Sequence, residues 1–61
     1  MMKLVQVPAT LINHSGFNFA LEFLNVTMKK VVNYSEYSVV ELHGVNSEIN
    51  EAIKSFNLKE M

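Results

Sequence analysis

The chain has 61 residues, of which 49% are hydrophobic and 18% charged, and it contains no cysteine. A domain of this length buries only about 60% of its unfolded surface and normally needs a disulfide, a metal or a partner chain to be stable. The absence of cysteine excludes disulfides and thiolate metal sites. A net charge of −1, with five basic residues that are all lysines, provides no basic surface for nucleic acid.

We therefore expect one folded domain, residues 1–61, that associates with another chain. No apolar run approaches the length of about 18 residues that a membrane span requires. No signal peptide is readable, because Gln6 and Pro8 interrupt the apolar stretch after Lys3. These features, with the lack of cysteine, predict a cytoplasmic protein.

The first predicted element is a strand from Met2 to Thr10. Val5 and Val7 favour a strand, and Pro8 marks an edge position or the end of the strand. The polar turn Asn13-His14-Ser15-Gly16 follows, in which the asparagine or the serine can cap the next helix.

Residues 17–32 fit two patterns. Phe17, Phe19, Leu21 and Phe23 alternate with polar or small residues, which is typical of a strand. At helical spacing the same segment has an apolar face that continues to Val31 beside a polar stripe. Because the helical pattern covers the whole segment and the alternation only its first half, we predict a helix over 17–32. The alternative is a β-meander closed by the C-terminal helix.

A second strand and a second helix complete the predicted fold. Residues 37–42 are rich in side chains that favour a buried strand, which Gly44 ends. Asn46 or Ser47 then caps a helix whose apolar residues recur at i, i+3, i+4 and i+7 from Ile49. Residues 57–61 are expected to fray. The order β-α-β-α predicts an α+β domain with two parallel strands joined by a right-handed crossover.

The two histidines lie beside the two glycines of the chain. If the strands are parallel, both turns lie at one sheet edge, where open α/β folds place ligands. Backbone N–H groups at helix N-termini attract anions, so the candidate anion-binding residues are His14, Ser15, Gly16, His43, Gly44, Asn46 and Ser47. The simpler interpretation is that these residues form ordinary capped turns. Two histidines without a third ligand predict no metal site.

Several apolar residues point to an interface. Phe19, Phe23 and Val26 lie away from the main apolar face of the predicted first helix, and a helix that is apolar on two sides is usually buried on both. Tyr34 and Tyr37 are further candidates, since tyrosine is enriched at protein contacts. A sheet of only two strands also requires a partner. We expect a homodimer, a higher oligomer or docking on a larger protein.

The usual catalytic motifs are incomplete. The chain has no cysteine, no aspartate, no G-x-S-x-G motif, no phosphate-loop lysine and no H-E-x-x-H motif. We therefore expect a non-enzymatic protein without a cofactor. The predicted function is that of a small regulatory protein acting through self-association or docking, and binding of a small anion at the histidine-glycine turns is an alternative.

One family resemblance adds a further alternative. A strand with Val5 and Val7, a serine-containing turn, an amphipathic helix, the sequence Val40-Glu41-Leu42-His43-Gly44 and the segment 49–54 occur in the same order as in the stage V sporulation protein S family. This chain is similar to that family in these segments. The resemblance implies an Alba-like β-α-β-α core and association with nucleic acid.

Overall fold

The computed structural model describes residues 1–61 and contains a four-stranded sheet and three helices. This confirms a small α+β fold. The elements in chain order are β1 (Met2–Pro8), α1 (Ala9–Ile12), α2 (Ser15–Phe23), β2 (Thr27–Asn33), β3 (Tyr37–His43), α3 (Asn46–Phe56) and β4 (Lys59–Glu60). No helix is long and apolar enough to cross a membrane.

The strands lie in the order β2-β3-β1-β4, and every neighbouring pair is antiparallel. Strands β1 and β2 therefore run in the same direction with β3 between them, and β3 and β4 run in the same direction with β1 between them. Helical segments connect the strands of each such pair. This is the split β-α-β, or ferredoxin-like, arrangement.

The prediction that β1 and β3 are parallel is wrong. They pair antiparallel over their whole length, from Met2 opposite His43 to Pro8 opposite Tyr37. The error arose because a strand between them in the chain, β2, was assigned to the first helix. The helical crossover leads from β1 to β2, and β3 then returns through a hairpin.

The predicted helix over 17–32 is correct only in its first half. Helix α2 ends at Phe23, and Asn25 adopts a left-handed conformation with φ 57°. The Val26 N–H then bonds to the Leu21 carbonyl at 2.8 Å and the Asn25 N–H to the Glu22 carbonyl at 3.1 Å, which together form a Schellman motif. The β-branched residues that follow are poor helix formers and enter β2.

The same motif ends α3. Asn57 has φ 53°, and the Leu58 N–H bonds to the Ile53 carbonyl at 2.9 Å. Leu58 is buried, and residues 59–60 pair with β1, so the expected fraying of residues 57–61 is wrong. Lys3 of β1 also contacts α3 and β4. Its ammonium nitrogen lies 2.6 Å from the side-chain oxygen of Asn50 and 3.6 Å from the carboxylate of Glu60.

The core lies between the sheet and the helices. Val5, Val40 and Leu42 are fully buried beneath the helices. Phe17 of α2 meets Phe56 of α3 edge to face, with 4.9 Å between ring centroids. Successive side chains of each strand point to opposite faces of the sheet, and those of one face pack against the helices. All three helices therefore lie on that face. The second face carries no helix.

Candidate functional site

The two histidine-glycine turns lie at opposite ends of the sheet. His43 is paired with Met2 at one end, and the Gly44 N–H bonds to the Met1 carbonyl at 3.1 Å. His14 follows α1, which begins at the other end, where the Ala9 N–H bonds to the Glu36 carbonyl at 2.9 Å. The expectation that both turns lie at one edge of the sheet is wrong, because it depended on parallel strands. The seven candidate anion-binding residues therefore form two separate groups.

The first group forms a helix cap. His14, rather than Asn13 or Ser15, is the N-cap of α2, and its ring nitrogen Nδ1 accepts a hydrogen bond of 3.1 Å from the Gly16 N–H. A Cβ on Gly16 would lie 3.2 Å from that nitrogen, so a larger residue there would require the His14 ring to shift slightly. The Asn18 amide donates to the Ile12 and His14 carbonyls and fixes the turn further. These contacts fit the simpler interpretation, and anion binding there stays a prediction.

The second group has a different geometry. Gly44 has φ 155°, and a Cβ there would lie 3.1 Å from the Asn25 carbonyl oxygen, so glycine permits β3 to pass close to the turn after α2. Val45 is the N-cap of α3 and offers no side-chain hydrogen bond. The prediction that Asn46 or Ser47 caps this helix is therefore wrong; both are exposed residues of its first turn.

Two phenylalanines of α2 are strongly exposed. The accessible fraction is 70% for Phe19 and 80% for Phe23. At 100° per residue they lie about 200° around the helix from Phe17 and Leu21, which face the core. The predicted third member of this surface, Val26, is 5% exposed and belongs to the core, because the Schellman turn folds it back toward Leu21.

The helix-free side of the sheet is a second exposed surface, here called the open face. It consists of the strand residues that alternate with the core residues and is made up of Met2, Leu4, Gln6, Pro8, Thr27, Lys29, Val32, Tyr37, Val39, Glu41, His43 and Lys59. Leu4 and Val32 are 38% and 40% exposed. Val39 is 9% exposed but lies outside the core cluster, as expected for the centre of this face.

The two candidate tyrosines lie together at one end of the open face, where Tyr37 belongs to the face and Tyr34 adjoins it from the turn between β2 and β3. Their ring centroids are 4.9 Å apart, and the Tyr34 N–H bonds to the Tyr37 carbonyl at 2.8 Å across the β2–β3 hairpin. Tyr34 is 54% exposed. The tyrosines, Val32 and Val39 thus form a continuous apolar half of the face on the β2–β3 hairpin.

Charged residues occupy the other end of the same hairpin. Lys29 lies directly opposite Glu41 in the strand register, and the Glu41 carboxylate is 2.7 Å from the His43 ring nitrogen Nε2. No carboxylate lies within 4.0 Å of the Lys29 ammonium. No group of three or more side chains is placed to hold a metal ion.

The outer edge of the sheet is poorly suited to adding a strand. Edge strand β2 carries Lys29 and Lys30, and its register shifts at a bulge between Lys30 and Val32. Lysines and bulges on an edge strand are features that prevent pairing with another chain. These features disfavour the pairing of β2 with a strand of another chain.

The chain matches no protein-family model, no curated protein and no solved structure. Sequence reasoning found the tyrosine pair and the exposed phenylalanines. It missed the open face, because that face needs the register of four strands, two of which have no clear hydrophobic pattern.

Proposed function

We propose that this chain is a non-enzymatic regulatory protein that binds another protein surface through its open face. The observation that carries the proposal is the helix-free sheet face whose apolar half, formed by Val32, Tyr34, Tyr37 and Val39, is continuous and adjoins charged residues. Aromatic and apolar side chains with polar residues beside them are common in protein contact surfaces.

The energetics favour covering this face. Complete burial of one large apolar side chain contributes about 1.5–3 kcal/mol, so covering the exposed parts of Leu4, Val32 and Tyr34 contributes about 1 kcal/mol each. The domain itself has only 13 buried residues. Burial of the open face would therefore add substantially to a small core.

A second candidate, binding of single-stranded nucleic acid, has one observation in its favour. The adjacent rings of Tyr34 and Tyr37 are groups on which bases can stack, and Lys29 at the other end of the same hairpin is a group to which a phosphate can bind. The net charge of −1 favours the protein partner.

The test compares two variants, Val32→Lys on the open face and Phe23→Asp on α2. Each purified chain is examined by sedimentation velocity over a range of concentrations and, as tagged bait, in pull-downs from the host. We expect Val32→Lys to weaken self-association or the capture of a specific partner, because it places a charge within the apolar half. Phe23→Asp serves as the matched control, since Phe23 lies outside the open face.

Two results would contradict the proposal. One is that Val32→Lys, shown to be folded by circular dichroism, associates in the same way as the wild-type chain. The other is that Phe23→Asp alone abolishes association, which would assign the contact to Phe19 and Phe23 of α2.

A further inference from the structure

We infer that the occupant of the open face is a second copy of this chain, related by a two-fold axis that runs parallel to the strands above the line between β2 and β3. The inference rests on the proposed function and specifies its partner. Such an axis places β2 of one copy over β3 of the other. A contact of this type is isologous, so every contact occurs twice.

The register of the β2–β3 hairpin makes this arrangement self-complementary. Lys29 pairs with Glu41, and Val32 with Val39. Because the axis exchanges β2 and β3 between copies, Lys29 of each copy faces Glu41 of the other, and Val32 faces Val39. The Tyr34 and Tyr37 rings, which adjoin within one chain, also face each other across the axis. Charged residues meet opposite charges, and apolar residues meet apolar residues.

An axis through the middle of the sheet is less favourable for Lys29. If the axis lay between β3 and β1, Glu41 would face Leu4 of the second copy, and Lys29 would face Met61, whose N–H bonds to the Leu4 carbonyl at 3.0 Å. The Lys29 ammonium would then face an apolar side chain instead of a carboxylate, which is unfavourable, and Glu41 would keep only its contact with His43 of its own chain. Charge complementarity therefore selects the axis between β2 and β3 over the central one.

The size of the contact predicts a weak dimer. Two seven-residue strands cover a surface of about 23 Å by about 10 Å. Over both copies this is roughly 500 Å², well below the lower limit of about 1,200 Å² of total buried surface for stable complexes. We therefore expect a weak dimer that forms at high concentration and separates on dilution.

The experiment uses two charge variants of the full chain, Lys29→Glu and Glu41→Lys. Each variant alone places like charges opposite each other across the axis, so we expect its dimerisation to be at least about tenfold weaker than that of the wild type. In an equimolar mixture, the substituted position 29 of the first variant is negative and faces the substituted position 41 of the second variant, which is positive. The native Glu41 of the first variant likewise faces the native Lys29 of the second. The mixture is therefore expected to form a heterodimer at concentrations where each variant alone is monomeric.

The matched control is Lys59→Glu, because Lys59 lies on the open face but on β4, outside the β2–β3 contact. Its dimerisation is expected to equal that of the wild type. Sedimentation equilibrium gives the masses, and circular dichroism shows that each variant is folded. Rescue in the mixture requires direct contact between copies, which a loss of stability within one chain would not produce.

The outcomes separate the two proposals. A wild-type chain that remains monomeric at several hundred micromolar overturns the inference, and so does a mixture of folded variants that fails to associate while the wild type dimerises. In either case the proposed function stands if Val32→Lys abolishes capture of a different protein. It fails if Val32→Lys changes neither self-association nor capture.

Discussion

Asn25 permits the change from helix to strand in the middle of the chain, and substitutions at this position test that role. Its φ of 57° lies in the left-handed region, and its side chain is exposed. A residue with a Cβ is disfavoured there by about 1–2 kcal/mol, a cost that glycine avoids and asparagine partly avoids. We expect Asn25→Ala to lower the free energy of unfolding by about 1 kcal/mol, and Asn25→Gly to leave it equal or slightly higher.

Thermal unfolding followed by far-ultraviolet circular dichroism measures the effect. A loss of about 1 kcal/mol lowers the Tm of a domain of this size by about 4–8 °C. The control is Asn46→Ala, because Asn46 is an exposed residue of the first turn of α3 and makes no capping hydrogen bond; its Tm is expected to stay the same. An Asn25→Ala chain as stable as the wild type, or an Asn25→Gly chain less stable than Asn25→Ala, would refute this account of the junction.

Three further outcomes are expected. Gly44→Ala should lower the free energy of unfolding by about 1–3 kcal/mol in urea titrations, since its Cβ would lie 3.1 Å from the Asn25 carbonyl oxygen at a φ of 155°; an unchanged midpoint would contradict the close approach. His14→Ala should lower the free energy of unfolding by about 1 kcal/mol, because it removes the acceptor of the Gly16 N–H. The control is Ser15→Ala, whose free energy of unfolding should equal that of the wild type. Binding to duplex DNA or RNA should fall below detection near physiological salt in fluorescence anisotropy; submicromolar binding there would favour the nucleic-acid association that the family resemblance implies.

The elements that the sequence predicted well are those with a buried, periodic side. Strand β3 and helix α3 were identified because Val40 and Leu42, and Ile49 and Ala52, face the core. Strand β2 was missed because it lies at the edge of the sheet, where six of its seven residues are exposed and no burial pattern marks it. Strand β4 has only two residues, too few for any periodicity.

A signal for both missed strands was nevertheless present in the sequence. Leu24-Asn25-Val26 and Phe56-Asn57-Leu58 each place an asparagine between two apolar residues at the end of an amphipathic helix. Asparagine tolerates the left-handed conformation, and the apolar residue after it contacts the last turn in a Schellman motif. Recognising this pattern would have ended the first helix at the correct place and predicted an extended segment after each helix.

The candidate site was less accessible to sequence reasoning. Phe19 and Phe23 are recognisable from the helical spacing alone, and the two tyrosines from their position in a short polar turn. Lys29 and Glu41 lie twelve positions apart and become neighbours only through the hairpin register, which the bulge near Val31 shifts. Without β2 as a strand, neither their pairing nor the open face could be inferred.

The interleaved order of the strands has a consequence for how the chain folds. Each β-α-β half contributes one central strand, β1 or β3, and the two central strands bond to each other, so neither half has a complete sheet without the other. Contacts between residues far apart in sequence, such as Lys3 with Asn50, must form together with the local ones. Folding is therefore expected to be an all-or-none reaction that is slower than that of a helical bundle of equal length. The amide protons in the hydrogen bonds between β1 and β3 should exchange with water only through global unfolding.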